Sequence, residues 1–374
     1  MRPSPSFLMA SPESTFISEP TGQHLSRAAL DEIVSINPLE VPDWDLLISS
    51  NRNSSFFHTQ GWARVLHETY GHEPLYFCRI ESSRVQVLLP AMEVRSWLTG
   101  TRGVSLPFTD FCPILLESLE RSDTLFERVL NHGRAQGWRY FEIRSSALAN
   151  REAEPSVSFY GHFLDLGGST EHLWTGLSGA VRRGIRKSEQ ERLRIEMSSS
   201  IEGMRTFFSL HCRTRRRHGV PPQPIAFFEN IARHILRAGR GFIALAVLQD
   251  RPVAAAVFFH NARQAIYKFG ASDFRYQHLR PNNLLMWEAI KHCVELGCNS
   301  LHLGRTSQDQ QGLRRFKLGF GAQEQSIDYY KYDFGKEAFV RATDLARNRL
   351  AAVFKLFPPP MFRLAGRLLY PHLS

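Results

Sequence analysis

The residues that could do chemistry cluster around one predicted strand and the helix after it. Residues 301–333 read LHLGRTSQDQQGLRRFKLGFGAQEQSIDYYKYD, which predicts a strand, a polar loop, a short basic helix, a glycine break and a second strand. Arg305 stands at the end of the first strand, where α/β folds place ligands. Lys317 lies between Phe316 and Leu318, so we expect its stem to be partly buried. Because guanidinium and ammonium groups both bind phosphate, the pattern favours an anion pocket; the alternative is a solvated helix face.

A second basic cluster occupies residues 180–220, which hold eleven Arg and Lys residues and four acidic residues. On the helix predicted over 171–193, Arg182 and Arg186 stand four residues apart, as do Arg183 and Lys187. Like charges at this spacing repel by ~0.2–0.5 kcal/mol per pair. Because this repulsion destabilises the helix, we interpret the cluster as a binding site for an anion. A solvated helix face is the alternative.

Several common catalytic signatures are absent from the sequence. It has no G-x-S-x-G elbow, no Walker loop and no G-x-G-x-x-G after a strand, so a covalent or metal-dependent mechanism has no support. The five cysteines are scattered and form no C-x-x-C pair. Cys293 and Cys298 have His292 and His302 nearby, but buried thiols are favoured over a zinc site, and we expect no metal.

Net charge and hydropathy limit the cell compartments and the binding partners that the sequence favours. The formal net charge is +10, which favours anionic partners such as phosphate-bearing cofactors, nucleic acid or an anionic membrane surface. No apolar run approaches the ~18 residues of a membrane-spanning helix. The N-terminal residues lack the apolar region of a signal peptide. We therefore expect a cytoplasmic protein, with peripheral contact at the inner membrane as an addition to that location.

The chain divides into four parts by pattern. Residues 1–30 are rich in Ser and Pro and are predicted to be a mobile tail. Residues 31–155 and 156–335 each alternate between helices and strands, in a similar order that indicates a structural duplication. Residues 336–374 are predicted to form basic amphipathic helices. These helices either dock on the core, which is favoured, or contact an anionic membrane through 341–374.

Several segments resemble FemAB-like proteins of the GNAT acyltransferase superfamily. Two segments resemble the C-terminal half of that family: YKFGASDFRYQHLRPNNLLMWEAIKHCVELGCNSLHLGRT and the following GLRRFKLGFGAQ. Two segments resemble the middle of the family: WTGLSGAVRRGIRKSEQERLRIE and FFSLHCRTRRRHGVPPQPIAFFENI. Three segments resemble its first domain: FFHTQGWARVLHETYGHEPLYF, VLLPAMEV and VSLPFTDF. The resemblance covers roughly residues 55–335, and FK-x-x-F-G is its most specific piece. It points to the subgroup associated with bacterial exopolysaccharide and exosortase systems.

The resemblance implies an α/β (α+β) fold of two tandem GNAT-like domains, with mixed, largely antiparallel sheets flanked by helices. It implies acyl or aminoacyl transfer to an amine, from acyl-CoA or an aminoacyl-tRNA, so tRNA is a candidate partner. Arg305 and Lys317 match the family's G-R strand end and F-K motif, where contacts to donor phosphate or substrate are expected. Tyr267 and Asn282 match recurrent positions of the family. The usual GNAT glycine pattern is absent at 272–282, which departs from a standard CoA site.

Direct acyl transfer agrees with this inventory, because it needs no protein nucleophile. It needs two substrates held in line, a backbone amide to polarise the carbonyl and a base for the ammonium proton. A bulged central strand could supply the amide. The candidate bases are Asp110, Glu288 and Asp328.

We therefore expect an acyl- or aminoacyl-transferase that modifies an amine of a cell-envelope polysaccharide or peptide precursor. The residues expected to bind the donor or another anion are Arg305, Lys317, Arg182, Arg186, Lys187, Tyr267 and Asn282. The alternative is a non-catalytic GNAT-like scaffold that binds a polyanion, either nucleic acid or a lipid-linked glycan.

Overall fold

The computed structural model describes residues 32–49, 51, 53–82, 84–116, 122–145, 153–341 and 354–373. The strands are β1 (Val34–Ile36), β2 (Glu73–Glu81), β3 (Arg84–Val94), β4 (Arg102–Val104), β5 (Leu115–Leu116), β6 (Tyr140–Ile143), β7 (Val157–Asp165), β8 (Arg194–Ser198), β9 (Gly241–Leu248), β10 (Arg251–Asn261), β11 (Gln264–Ser272), β12 (Ser300–Thr306), β13 (Gln323–Asp333) and β14 (Ala338–Phe339). The α-helices are α1 (Trp44–Ser49), α2 (Gln60–Tyr70), α3 (Ser122–Ala135), α4 (Thr170–Gly176), α5 (Gly179–Gln190), α6 (Ile201–His218), α7 (Ile225–Ile231), α8 (Pro281–Glu295), α9 (Gln311–Leu318) and α10 (Pro359–Leu369).

The strands join in one mixed and mostly antiparallel sheet with helices packed on it. Its strand order is β1-β2-β3-β4-β6-β13-β7-β12-β11-β10-β9-β8, while β14 pairs with β13 and β5 pairs with β3. Two of the pairings are parallel, β4 with β6 and β11 with β12. A helix connects the two strands of each parallel pair, α3 in the first half and α8 in the second. This repeated unit agrees with the predicted α/β fold of two GNAT-like halves.

Glycines end helices where the sequence pattern indicates. The spacing of Trp62, Val65 and Leu66 along the sequence predicts a helix with one apolar face; the helix is α2, and these three residues are buried. Gly71 ends α2 in the left-handed conformation with a φ of 67°. Gly297 follows α8 with a φ of 78°, directly before β12. Because a residue without Cβ adopts positive φ at little cost, these positions fix where each helix turns into a strand.

Strand β13 belongs to both halves of the sheet. Its residues Gln323–Tyr329 pair with β7, and its residues Tyr330–Asp333 pair with β6 of the first half. A continuous ladder of backbone hydrogen bonds therefore crosses from one half to the other. The division of the chain at residue 335 stays a prediction, and the last residues of this strand lie in the sheet of the first half.

An aromatic core also joins the two halves. Trp62 of α2 is fully buried, and its ring lies 5.5 Å from Phe57, 6.0 Å from Phe227 and 5.8 Å from Phe259 (between ring centroids). Phe56 stacks on Phe259 at 4.6 Å. Phe227 and Phe259 belong to the second half, so the first half packs on it through aromatic side chains as well as through β13.

The ends of the chain are partly outside this description. The predicted tail over residues 1–30 lies outside the described residues, as does most of the first predicted C-terminal amphipathic helix. The second of these helices is α10. Among the residues described, no helix is both long and apolar enough to cross a membrane.

The shared aromatic core predicts a large loss of stability when its central ring is removed. Trp62→Ala should lower the free energy of unfolding by ~3–5 kcal/mol, because it deletes a large buried side chain and leaves a cavity. The measurement is equilibrium unfolding in urea. Trp97→Ala is the matched control, since Trp97 is 86% exposed, and it should change the value by less than ~0.5 kcal/mol. A similar small effect at Trp62 would contradict the assigned core.

Candidate functional site

The sheet opens between its two central parallel strands in the second half. β11 pairs with β12 only through Gln264–Ile266 and Ser300–His302. Both strands continue, β11 to Ser272 and β12 to Thr306, without further pairing to each other. Backbone N–H and C=O groups of two diverging strands therefore border a gap, and such groups can bind an extended ligand.

A β-bulge lies at the start of this gap. Val257 pairs with Phe269 and Phe258 pairs with Tyr267, so Lys268 is an extra residue in β11. The Nζ of Lys268 lies 3.1 Å from Oδ2 of Asp110, which comes from the first half of the chain. The Lys268 side chain is 5% exposed. The bulge therefore carries a buried ammonium group into an ion pair between the halves.

Gly304 lies where groups from three parts of the chain converge beside this ion pair, and we call the space next to its Cα the hollow. Its φ is 76°, in the left-handed region that favours glycine. A Cβ at this position would lie 3.3 Å from the carbonyl oxygen of Tyr267, 3.7 Å from Nζ of Lys317 and 3.8 Å from Oδ2 of Asp110. Groups from β11, α9 and the first half therefore surround one point, and a side chain at residue 304 would occupy the space between them.

Lys317 contributes a second buried ammonium group. It lies on α9, is 2% exposed, and its Nζ donates hydrogen bonds to the carbonyl oxygens of Gly304 at 2.8 Å and Arg305 at 3.0 Å. Burial lowers its pKa to about 8, and the nearby carboxylate of Asp110 opposes that shift. An ammonium has three N–H donors, so one remains without an acceptor among the described residues. It can take a ligand oxygen.

The loop after β4 holds Asp110 in place. Leu106 and Phe108 have φ values of 57° and 61°, which side chains rarely adopt and which store strain. Arg144 donates to the carbonyl oxygens of Leu106 at 3.3 Å and Thr109 at 3.2 Å. The hydroxyl of Tyr329 donates to the carbonyl oxygen of Asp110 at 2.6 Å. These hydrogen bonds stabilise a loop conformation that the local sequence does not favour.

Arg305 and His302 complete the surroundings of the hollow. The Arg305 guanidinium lies over the ring of Phe159, with its central carbon 4.2 Å from the ring centroid. His302 Nδ1 accepts a hydrogen bond from the backbone N–H of Gly304, and its buried Nε2 has no partner among the described residues. Burial lowers the pKa of His302 to about 3, so its imidazole is neutral at physiological pH.

The cluster carries more positive than negative charge. Burial favours the neutral form of Asp110, but the Lys268 ammonium and the Arg305 guanidinium outweigh burial and hold its pKa below the usual value. Burial lowers the pKa of Lys268, although Asp110 opposes that shift. Three cations, Lys268, Arg305 and Lys317, therefore share one neighbouring carboxylate. Since a buried charge needs compensation, the site favours an anion or an oxygen that becomes negative during reaction.

Three residues predicted from the sequence meet in this cluster: Asp110, Arg305 and Lys317. A fourth, Tyr267, contributes its carbonyl group to the hollow, but its side chain points elsewhere. A Cβ on Gly270 would lie 1.9 Å from the Tyr267 hydroxyl, so that hydroxyl lies over Gly270. Its ring packs against Phe258 at 5.4 Å.

Other predicted site residues lie apart from the cluster. Glu288 pairs with Lys291 one turn away on α8, at 2.8 Å. Asp328 accepts a hydrogen bond from Ser158 and, by the alternation of side chains along β13, faces away from Tyr329. Asn282 is the second residue of α8 and makes no side-chain hydrogen bond to the described residues. No described contact connects these three to the hollow.

The prediction that Arg182, Arg186 and Lys187 join this site is not supported by their positions. They lie on α5, whose buried face (Val181, Ile185) packs toward α8. Arg186 and Lys187 are exposed, Arg182 is half-buried, and none has a described contact with the cluster. The helix buries its apolar stripe, which leaves the cations on the solvent side. Their density along the helix therefore does not indicate convergence on one site.

Sequence reasoning missed Lys268, Arg144 and His302. A lone lysine in the apolar stretch AIYKFGA was the available signal for Lys268, because lysine is rarely buried unless paired. Its partner is 158 positions away in the sequence, so no local pattern could identify it. Within the described parts of the chain, no group of three or more His, Cys, Asp and Glu side chains could hold a metal ion.

Comparisons with known proteins place this geometry in context. A family model described as an acetyltransferase (GNAT) domain matches residues 178–332. No curated protein sequence matches the chain.

Several solved structures share the fold. The crystal structure of FemX aligns with a TM-score of 0.63 at 14% identity, over 78% of this chain and 95% of FemX. A conserved protein of unknown function from Bacteroides thetaiotaomicron aligns with a TM-score of 0.53 at 10% identity, over 80% of this chain and 98% of its own. The C-terminal domain of a putative lysylphosphatidylglycerol synthetase from Agrobacterium fabrum aligns with a TM-score of 0.50 at 12% identity, over 79% of this chain and 91% of its own. At these identities the likeness concerns the fold.

The ion pair at the bulge predicts a stability test. Asp110→Asn should lower the free energy of unfolding by ~3–5 kcal/mol at neutral pH, because it leaves the Lys268 ammonium buried without its carboxylate. Adding Lys268→Met should restore much of the loss, since no unpaired charge then remains. Both are measured by unfolding in urea.

Asp250→Asn provides the control for this test. Asp250 pairs with Arg194 at the surface, where its side chain is 86% exposed. The change should cost less than ~1 kcal/mol. If Asp110→Asn costs no more than this control, or if Lys268→Met adds to the loss, the ion pair does not hold the halves together.

Proposed function

We propose that this chain is a FemAB-like protein of the GNAT superfamily and that it transfers an acyl group to an amine by direct attack on an activated acyl donor. The observation that carries the proposal is the positively charged hollow at the bulge, where β11 and β12 diverge. It combines unpaired strand edges, buried ammonium groups and a carboxylate from the other half of the chain. No covalent intermediate with the protein is needed.

An acyl-CoA is the proposed donor. Its pantetheine arm carries amide groups that can pair with backbone groups on the edge of β11 that faces the gap, since the carbonyl groups of Gly304 and Arg305 in β12 already accept from Lys317. The match of residues 178–332 to an acetyltransferase (GNAT) domain supports this choice. An aminoacyl-tRNA also carries an activated acyl group, in its case as an ester, and is the second donor to test. Either donor is available in the cytoplasm, where we place the reaction.

Charge stabilisation is the main contribution that we assign to the protein. When the amine nitrogen attacks the acyl carbon, negative charge develops on the carbonyl oxygen. The backbone N–H groups at the bulge and the free N–H of Lys317 can donate hydrogen bonds to that oxygen, with Arg305 beside them. Groups fixed before the reaction need no reorganisation as charge develops. Collapse of the tetrahedral species then breaks the bond to sulfur and releases the thiol of CoA.

Proton removal is assigned to Asp110. Its carboxylate is ionised, because its pKa is held below the usual value, and it borders the same hollow as Lys317. Of the three candidate bases it is the one beside the other site residues. The acceptor ammonium first gives one proton to this carboxylate or to water, and the neutral amine then attacks. The second proton that the nitrogen loses as the amide forms passes to the sulfur leaving group as CoA departs.

The proposed acceptor is an amine on a cell-envelope precursor, either an amino sugar of an exopolysaccharide or a peptide. The resemblance to FemAB-like proteins implies an acceptor of this class, and the fold shared with FemX agrees with that resemblance. The name of the Agrobacterium fabrum protein refers to lysine and phosphatidylglycerol, a membrane lipid, which agrees with chemistry at the envelope. The resemblance to proteins of exopolysaccharide systems favours the amino sugar.

The role of Lys317 predicts a loss of transfer activity on its removal. Lys317→Ala should lower kcat/KM by ~10²–10³-fold, because it removes a donor to the developing oxyanion. The assay follows thiol release from acetyl-CoA with glucosamine, UDP-linked amino sugars and a peptidoglycan peptide as acceptors. Lys336→Ala, at an exposed turn, is the matched control and should keep full activity. Equal activity of the two variants would contradict the role of Lys317 as a donor to the developing oxyanion.

The pKa of Lys317 predicts how donor binding depends on pH. As the pH rises through about 8 the free protein loses the charge on Lys317, so the affinity for acetyl-CoA should fall between pH 7 and 9. Lys317→Arg keeps a charge over this range and should bind with a flatter pH dependence. Isothermal titration of both proteins tests this. Parallel curves would show that Lys317 does not contact the anion.

A further inference from the structure

A basic groove lies at the far end of β11. It has a volume of about 510 Å³ and is lined by residues of α6, of the turn after β11 and of the segment before α10: Arg213, Thr214, Arg216, Arg217, Ser272, Asp273, Phe274, Arg275 and Lys355. The groove is separate from the hollow, since Ser272 is four residues along β11 from Lys268, or about 13 Å.

The groove keeps an excess of positive charge. Asp273 is the acidic residue in its lining, and it pairs with Arg213 at 3.0 Å and Arg275 at 2.6 Å. Arg216 and Lys355 belong to the same lining, and Asp273 has no described contact with either. Five cations and one carboxylate fit an anion such as a phosphate group.

An apolar ridge runs along α10, which begins four residues after Lys355 of the groove. The helix buries Phe362 and Gly366 on the protein and turns Met361, Leu364 and Leu368 outward, at 52%, 53% and 61% exposure. Its eleven residues span about 16 Å. Arg363 and Arg367 are exposed on the same helix. An amphipathic helix of this kind, with cations beside its apolar face, is typical of segments that lie in a membrane interface.

Further exposed apolar residues lie at both ends of α10. Leu356, just before the helix, is 83% exposed. Trp97 is 86% exposed, and its ring lies 5.4 Å from that of His372, just after the helix. Isolated apolar residues are normal on protein surfaces, but three on one face of a helix with two more at its ends form a patch. Tryptophan is enriched where a membrane meets water.

The helix is firmly attached, so its outward face is set by the fold. The hydroxyl of Tyr370 donates to the carbonyl oxygen of Pro221 at 3.2 Å and accepts from Arg215 at 2.6 Å. Gly366 contacts the carbonyl of Pro222 so closely that a Cβ there would lie 1.9 Å from its oxygen. Rotation of α10 about its axis would break these contacts.

We propose that this surface docks on an anionic lipid bilayer. The outward face of α10, together with Trp97 and Leu356, enters the interfacial layer, and the basic groove takes a lipid phosphate. The combination selects this partner, because an apolar ridge alone would equally fit a protein, whereas the adjoining cations complement the negative charge of a bilayer. The inference is independent of the acyltransferase activity and concerns different residues.

The test is co-sedimentation of the full chain with vesicles of 30% phosphatidylglycerol in phosphatidylcholine, against pure phosphatidylcholine. We expect binding to the anionic vesicles, with affinity that falls as salt rises. Leu364→Glu/Leu368→Glu and Arg216→Glu/Arg217→Glu should each weaken binding at least tenfold. Free glycerol phosphate should not compete, because it lacks the apolar part; full competition would mean a soluble phosphate site and overturn the proposal.

Two controls distinguish docking on the bilayer from a nonspecific effect of net charge and from association between copies of the protein. Arg182→Glu/Arg186→Glu makes the same change in net charge on α5 and should alter vesicle binding less than twofold. Equal loss in both arginine pairs would overturn the groove assignment. Sedimentation velocity of Leu364→Glu/Leu368→Glu tests whether the ridge instead binds a second copy of the chain. If the wild type is a dimer that these changes dissociate, while vesicle binding is unchanged, the ridge is a contact between copies of the chain.

Trp97 provides an independent readout. The fluorescence of the wild type should shift to shorter wavelength on addition of anionic vesicles, as an exposed indole enters a less polar layer. Trp97→Phe should lose this shift while it still sediments with the vesicles. An unchanged spectrum of the wild type, measured with all protein bound, would contradict insertion of this residue.

Discussion

The burial of two ammonium groups beside one carboxylate is the constraint on which the site depends. Removing each ion from water costs several kcal/mol, so Lys268 and Lys317 are tolerable only where their hydrogen bonds and charges are matched. Lys268 meets Asp110, and Lys317 meets two carbonyl groups of β12 at the place where the pairing of that strand with β7 shifts register. The positions of the two ammonium groups therefore depend on an irregularity in each of the two strands that border the opening.

The duplicated halves use the same opening differently. In the first half, β4 and β6 also run parallel for a short distance, and the loop after β4 turns back beneath Arg144. The N–H of Cys112 donates to the carbonyl oxygen of Arg144 at 2.7 Å, and Arg144 donates to carbonyl groups of this loop. These hydrogen bonds close the first opening with protein groups. The loop thus closed supplies Asp110 to the opening of the second half, so neither half contains the whole cluster.

Much of the fold and part of the site could be predicted from local pattern. Apolar periodicity and glycine positions predicted the α2 and α8 helices, and Arg305 and Lys317 stood out because they flank a strand end and an apolar helix face. The sequence also grouped the cations of α5 with them, and the structure shows no described contact between these cations and the cluster, because charge density along a helix does not show where its apolar stripe will pack. Lys268 was missed because a bulge changes the side on which a strand residue points, and the alternation of residue types in β11 contains no sign of it.

By itself the sequence determined the repeated order of helices and strands, the basic character of the chain and the amphipathic nature of its last helix, since each depends on residues close together along the chain. Only the tertiary structure decided which charges meet. Asp110 and Lys268 are 158 positions apart, and they meet because β13 pairs with both halves and aromatic side chains pack between them. The energy of a buried ion pair depends on distance and on exclusion of water, and both exist only after the halves have packed.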